Sequence, residues 1–327
     1  MDIALVTGGS GCVGSNLARA LVREGWHVRI VRRTHSDLRA LEGLDVEHCI
    51  GDVRDANFLK RATKGCRAVF HTAAIVSYWR REREQMFEVN INGTRNVVQA
   101  CLDSGVERLV HTSSIAAVGF NPDGSPADET TQFNWRAYDV GYRISKFEAE
   151  QEIAAGVLQG LNAVMVNPSI IVGPGDIHVH GGQLIRDVYR WRIFYYVDGG
   201  MNVVSVDDVV GGHLAAYQRG RSGERYILCG QNLTHREVFS TIAQFLHRPK
   251  PFFKLPRFVA RSVAGVAEMA AVMTNTKPWV TRELLAGLGT RSWFSCAKAE
   301  RELGYSYQTL SVFLPAAFEW MRDHRML

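Results

Sequence analysis

The chain predicts an α/β protein, a Rossmann-type doubly wound parallel sheet followed by a smaller, mostly helical C-terminal substrate lobe. Three observations carry this. Short apolar runs alternate with longer helical patterns through the first half of the chain. The first run, residues 3–6, leads straight into a glycine-rich turn, Thr7-Gly8-Gly9-Ser10-Gly11-Cys12-Val13-Gly14. After Gly173-Pro174-Gly175 the alternation stops and helical periodicity takes over.

The elements follow in order. Residues 3–6 are wholly apolar, as a strand buried on both faces must be. Strands are expected again at 28–31, 46–50, 68–70, 108–111 and 163–166. Helices are expected at 17–23, 57–62, 86–102 and 142–153. The lobe boundary falls near Gly175, giving a nucleotide-binding domain over 1–175 and a substrate lobe over 176–327. Weak strands at 203–206 and 226–228 make 203–230 the stretch that can rejoin the main sheet.

The 327 residues are 46% hydrophobic and 22% charged, with a formal charge of +5. That is ordinary soluble composition. The arginines are scattered, not gathered into the stripe a nucleic-acid binder shows. The six cysteines form no CxxC pair and lie at no metal-ligand spacing, so free thiols in a reducing, cytoplasmic setting and no metal are expected. A strand beginning at Ile3 leaves no room for a signal peptide. No apolar run reaches the roughly 18 residues of a membrane-spanning helix. The nearest, 258–273, is broken by Arg261 and Glu268 and reads as a buried amphipathic helix, with a membrane-surface helix as the lesser alternative.

The turn at 7–14 carries the first chemistry. Gly9, Gly11 and Gly14 satisfy GxGxxG, and Gly8, Gly11 and Gly14 satisfy GxxGxxG. Glycine belongs where a turn is tight and where backbone must approach a pyrophosphate. Between a first strand and a first helix, the pattern signals a dinucleotide held at a helix N-terminus. The second strand ends in Arg32 and Arg33 where an NAD site would place an acid. A guanidinium suits a 2′-phosphate, so NADP(H) is favoured over NAD(H). Asp52, followed by Val53, stands after the third strand, placed to accept from an adenine amino group or to cap the next helix.

Tyr142 and Lys146 form a YxxxK pair whose i, i+4 spacing puts both side chains on one helix face. A phenol near pKa 10 is a poor base. A neighbouring ammonium and a positive nicotinamide would favour the phenolate and make Tyr142 an acid/base. Ser114 lies just past the fifth strand, where ligands of open α/β sheets bind, and its hydroxyl suits a developing oxyanion. Ser113 is the neighbour with which it is most easily confused, and either serine could cap a turn.

Taken together these segments resemble the extended short-chain dehydrogenase/reductase superfamily, the NAD-dependent epimerase/dehydratase family, over nearly the whole chain. The matching segments are 7–14, GDVRD at 51–55, HTAA at 71–74, VNINGT at 89–94, HTSS at 111–114, YRISK at 142–146, VNPSIIVGP at 166–174 and VDDV at 206–209. The chain is most similar to the dihydroflavonol reductase and 3β-hydroxysteroid dehydrogenase branch. PDGSPADETT at 122–131 looks like bacterial hopanoid-associated sugar epimerases. The resemblance implies Ser114, Tyr142 and Lys146 as a catalytic triad, with Tyr142 and Lys146 also contacting the cofactor. It implies Ala73 and Ala74 under the cofactor, Pro168 and Ser169 along the nicotinamide, and Asn90 bracing a loop beside the site. Asp207 and Asp208 look like helix caps. A homodimer through 86–102 and 142–153 is a family expectation.

One departure bears on substrate. Nucleotide-sugar members commonly carry an arginine before the VDDV-like segment, and 199–204 has none. The lobe offers Trp191, Phe194, Tyr195, Tyr196, Phe252, Phe253 and Phe258, some to pack and some to wall an apolar pocket. The leading reading is an NADP(H)-dependent reductase of an apolar ketone. An epimerase or dehydratase of a nucleotide-linked sugar is the alternative, which Arg190 and Arg192 keep open. A non-catalytic dinucleotide sensor comes third, since Tyr142 and Lys146 are both present.

Overall fold

A computed structural model describes residues 2–191, 195–287 and 289–327. In chain order, β1 (Ile3–Thr7), α1 (Cys12–Arg23), β2 (His27–Arg32), β3 (Glu47–Ile50), α2 (Ala56–Ala62) and β4 (Ala68–His71) build the first half of the sheet. Helices α3 (Arg83–Phe87) and α4 (Gly93–Ser104) follow, joined through a π-turn at Glu88–Asn92. Then come β5 (Arg108–Thr112), α5 (Gly141–Leu158) and β6 (Ala163–Pro168). The remainder is β7 (Ile170–Val172), α6 (Gly182–Trp191), β8 (Tyr195–Tyr196), β9 (Gly200–Ser205), α7 (Val206–Arg219), β10 (Arg225–Leu228), β11 (Gln231–Thr234), α8 (His235–Phe245), β12 (Phe253–Lys254), α9 (Arg257–Thr274), α10 (Ala297–Leu303) and α11 (Leu310–Asp323).

The main sheet has seven parallel strands in the order β10-β6-β5-β4-β1-β2-β3. This is the doubly wound order, and its reversal falls between β1 and β4. Ala4 to Thr7, all of β4 and all of β6 are buried, because helices cover both faces. One face packs Leu17, Ala18 and Leu21 of α1 with Val210 and Ala216 of α7; the other packs Leu59, Val97, Cys101 and Ile153 from α2, α4 and α5.

After Gly175 the chain crosses between two cores. Strand β9 does not rejoin the main sheet. It pairs with β7 and β11 in a three-stranded sheet over α6, α8 and α11. Within 203–230 it is β10 that adds to the main sheet, beside β6, and Ala299 and Leu303 of α10 close over the main-sheet core. The N-terminus of α8 is fixed by a capping box between Thr234 and Glu237.

Helix α9 corrects an expectation. It does not bury its large apolar residues. Ala260, Ala264 and Ala271 face inward, while Phe258 (72% exposed), Met269 (60%) and Met273 (86%) face out. Hydrophobic count marks such a helix but not which face seats, and here small residues pack where space is tight. No helix among the described residues is long and apolar enough to cross a membrane.

Candidate active site

The crevice opens at the carboxyl ends of β1 and β4. Gly8 is left-handed (φ 66°), and a Cβ there would lie 2.7 Å from the Ala73 Cα. A Cβ on Gly14 would run into the Gly8 carbonyl, and one on Gly9 would come within 2.6 Å of Ile30 Cβ. These three glycines are demanded by the protein's own packing. Gly11 is not: its Cβ would meet only the Gly8 carbonyl oxygen, at 3.4 Å, and otherwise open space. Among the described residues nothing in the chain's own packing requires glycine at 11. Gly11 starts α1 without a side-chain cap, and the N–H groups of Cys12, Val13 and Gly14 have no main-chain acceptor among the described residues. An open cradle of unspent donors fits a pyrophosphate. Ser10 lies in the turn itself. Asn16 bolts α1 to the loop after β7, donating to the Cys12 carbonyl at 2.8 Å and the Pro174 carbonyl at 2.9 Å.

At the far end, Arg32 donates through Nε to His48 Nδ1 at 2.9 Å and through its fork to the Arg33 carbonyl at 3.3 Å. The Arg33 side chain is exposed and has no acceptor among the described residues. Asp52 does not cap α2. Its carboxylate takes the Arg54 guanidinium at 2.9 and 3.0 Å, which holds its pKa down, and Asp55 caps the helix through Phe58 N–H. Val53 is buried against Gly93 at the start of α4, so its side chain serves packing. Likewise Ser205 caps α7, and Asp207 and Asp208 occupy its first turn.

Between these ends lie the groups with acid/base chemistry. Ser113 Oγ is spent on Glu150 at 2.5 Å, deep in the core. Ser114 starts a short 3₁₀ turn, accepting from Ala116 N–H at 3.1 Å, and stands beside the Tyr142 phenol. Both Tyr142 and Lys146 are buried. Burial raises the Tyr142 pKa, with Tyr78 adding to the rise; the Ser114 hydroxyl and the Arg143 charge oppose it. Lys146 Nζ donates to the Thr112 carbonyl at 2.9 Å, and burial pushes its pKa down to about 8 against the pull of Glu150. One of the three ammonium donors is thus held by the end of β5, and the other two are left for the crevice.

A buried chain of hydrogen bonds fixes this geometry. Asn90, in the π-turn before α4, accepts Ile75 N–H at 2.8 Å and donates to the Ile75 carbonyl and to Ser145 Oγ, each at 2.9 Å. It thus ties the loop after Ala73 and Ala74 to the helix of Tyr142. Thr94 joins it to His71, which bridges on to Thr7 Oγ1 at 2.7 Å. Pro168 ends β6 and is followed by Ser169, whose buried hydroxyl has no partner among the described residues; Asn167 Oδ1, at the same strand end, also has none. Unmet buried polar atoms along the expected nicotinamide site suit an amide-bearing ring.

Sequence reasoning missed Glu283. Its buried carboxylate accepts Gly141 N–H at 3.1 Å and pairs with Arg80 at 3.2 Å. It thereby supplies α5 with the N-terminal acceptor that Val140 lacks. Tyr78 was also missed; its ring meets Tyr142 edge-on at 5.6 Å. Of the lobe aromatics, Phe252, Phe253 and Phe258 are exposed, Tyr196 stacks under Arg236, and Phe194, Arg192 and the side chain of Trp191 lie outside the described residues. Arg190 donates to the main-chain oxygen of Leu327 at 2.8 Å.

A parallel sheet with a glycine cradle at its switch point defines the class: an NAD(P)-dependent oxidoreductase of the Rossmann type. Residues 4–229 match the model of the NAD dependent epimerase/dehydratase family, and the chain belongs to that family. Sterol demethylase protein B of Methylococcus capsulatus is 32% identical over 326 residues, 99% of this chain and 99% of that protein. A 4-hydroxy-2-methyl-3-oxo-4-farnesyl-3,4-dihydroquinoline-1-oxide ketoreductase of Stigmatella aurantiaca is 32% identical over 310 residues, 92% of this chain and 91% of that protein. The crystal structure of gox2253 is 39% identical, with a TM-score of 0.88 over 100% of both chains.

Proposed function

We propose that the protein is an NADPH-dependent reductase of a ketone on a fairly apolar small molecule. The observation that carries this is the burial of Tyr142 and Lys146 beside Ser114, at the carboxyl end of the sheet. A bound dinucleotide would lie along the glycine cradle, its ribose against Lys146 and its nicotinamide against Pro168 and Ser169, and would supply the hydride. The chain's own groups manage the oxygen. Tyr142, kept protonated by burial, gives its proton to the carbonyl oxygen. Ser114 Oγ donates to the same oxygen and steadies the charge that develops there. Lys146 keeps one donor on Thr112 and has two to offer to ribose hydroxyls.

Arg33, exposed just past β2 with no side-chain acceptor among the described residues, supports the 2′-phosphate. Arg190 donates to the Leu327 main-chain oxygen, and 199–204 carries no arginine to hold a sugar diphosphate. Free thiols at all six cysteines suit a cytoplasmic setting, and the outer faces of α4 and α5 are where a homodimer would form. The test is a screen of ketones and nucleotide sugars with NADPH and NADH, using wild type and the Arg32→Ala/Arg33→Ala pair. Stoichiometric oxidation of NADPH with a ketone, and a far larger loss for NADPH than NADH in the variant, is expected. Cofactor that co-purifies and turns over without net oxidation would show an epimerase instead.

A further inference from the structure

We propose that Arg143 is a substrate-recognition residue and that the ketone this enzyme reduces carries a carboxylate near the reacting carbonyl. The inference rests on the ketone-reductase reading and names the substrate class for that same site.

Arg143 follows Tyr142 in the first turn of α5. Its guanidinium carbon lies 3.4 Å from the centroid of the Trp135 ring. Trp135 is itself buried and fixed by Phe120 and Tyr138, so the plane of the guanidinium is set in advance. Its charge reaches both phenols of the pocket, Tyr142 and Tyr78. The side chain is half-buried, and that burial lowers its pKa.

Yet it has no hydrogen-bond acceptor and no ion-pair partner among the described residues. The acids around it are all engaged elsewhere. Glu283 takes Gly141 N–H and Arg80; Asp139 takes Arg80 and Arg83; Glu148 takes Arg136. Other arginines without acceptors among the described residues, such as Arg33, Arg236 and Arg291, are exposed, and Arg248, half-buried like Arg143, has no aromatic ring beneath it to fix its plane. A desolvated cation left unpaired is costly, and the cost is recovered when a ligand brings the missing acceptor.

The chemistry of that ligand follows from the donor. A guanidinium held flat against an indole presents a planar fork, which matches a carboxylate bidentately. One unspent cation balances one negative charge. A diphosphate would need more, and Arg80 and Arg83 are already paired. The carboxylate takes no part in the bond changes. It orients the substrate so that the carbonyl oxygen meets Tyr142 and Ser114.

The test is a matched pair of ketones, a 3-oxo carboxylate and its methyl ester, reduced with NADPH by wild type, Arg143→Met and Arg143→Lys. Wild type is expected to favour the acid by about 10- to 100-fold in kcat/KM, the scale of a charge-assisted pair. Arg143→Met brings the acid-to-ester ratio close to one, mostly through KM for the acid, and Arg143→Lys recovers part of it. Equal losses on acid and ester would overturn the assignment. So would a wild type that reduces the ester as well as the acid, which needs no variant to observe. A wild type that reduces neither ketone overturns the reductase reading as well.

Discussion

Two regions of this molecule handle apolar and polar residues in opposite ways. At the carboxyl end of the main sheet, polar groups are buried and many hold one another: His71, Thr94, Asn90 and Ser145 form one connected chain between β1 and α5, while the His111 ring nitrogens, the Ser169 hydroxyl and Asn167 Oδ1 have no hydrogen-bond partner among the described residues. Around α9, large apolar residues stand in the open and the helix is seated on alanines. The first arrangement fixes reacting atoms to a fraction of an ångström and costs stability if disturbed. The second leaves side chains free to change with little consequence for folding. The acid/base groups sit where buried polar side chains are held by one another.

The sharpest break of this comparison is at Tyr142. Tyr142→Phe removes one oxygen and leaves the ring against Tyr78. Turnover should fall roughly 10²- to 10⁴-fold with cofactor affinity retained, measured by steady-state rates and dinucleotide titration. Turnover within a few-fold of wild type would remove the tyrosine from the chemistry.

The buried histidines give the next effect, in stability. Burial pushes His71 down to about 3 and His213 to about 4, and lowers His111 well below its ordinary value, with both its ring nitrogens unpartnered among the described residues. Above pH ~6.5 folded and unfolded chains are both neutral at these sites, and stability is complete. As pH falls below that, the unfolded chain binds protons that the folded one refuses, so stability drops steadily toward pH 4. Urea midpoints between pH 7 and 5, where most carboxylates stay ionised, isolate this part. A flat profile there would mean the histidines take up protons in the folded state.

Much of this architecture could be read from the residues in order. Strands buried on both faces must be unbroken apolar runs, so β1, β4, β5 and β6 announce themselves. The turn at 8–14 and the pair Tyr142/Lys146 are local patterns, and local patterns survive in sequence. Glu283 is different. It is 142 positions from the N–H group it caps, and nothing near Thr281-Arg282-Glu283 distinguishes this acid from a solvated one. The Lys146 contact to β5 is hidden for a related reason: spacing puts Lys146 on the same helix face as Tyr142 but cannot say that the Thr112 carbonyl takes one of its donors. Strand β9 was ambiguous with β10 because both are short and apolar, and only pairing decides which sheet each joins.

Glu283→Ala should therefore act in two ways. It removes a cap from α5, costing about 1 kcal/mol of stability in thermal or urea unfolding. It also frees the end of the helix that carries Tyr142, so kcat should fall while dinucleotide affinity holds. Glu283→Gln, which can still accept from Gly141 N–H, should restore most of both. A variant that loses stability and keeps kcat would make Glu283 a structural tie alone.

The smallest effect belongs to α9, and it measures the other side of the comparison. Val266→Ser with Met269→Ser alters side chains that are 62% and 60% exposed. If that face is open to water in solution, the pair should shift stability by no more than about 0.5 kcal/mol. Leu17→Ala, in the fully buried face of α1, should cost about 2–5 kcal/mol in the same urea experiment. The contrast has a definite failure. A loss of 2 kcal/mol or more at 266 and 269 would mean that the outer face of α9 is covered in the folded state. Dependence of that loss on protein concentration would then identify the cover as a second copy of the chain, because only association makes stability vary with concentration.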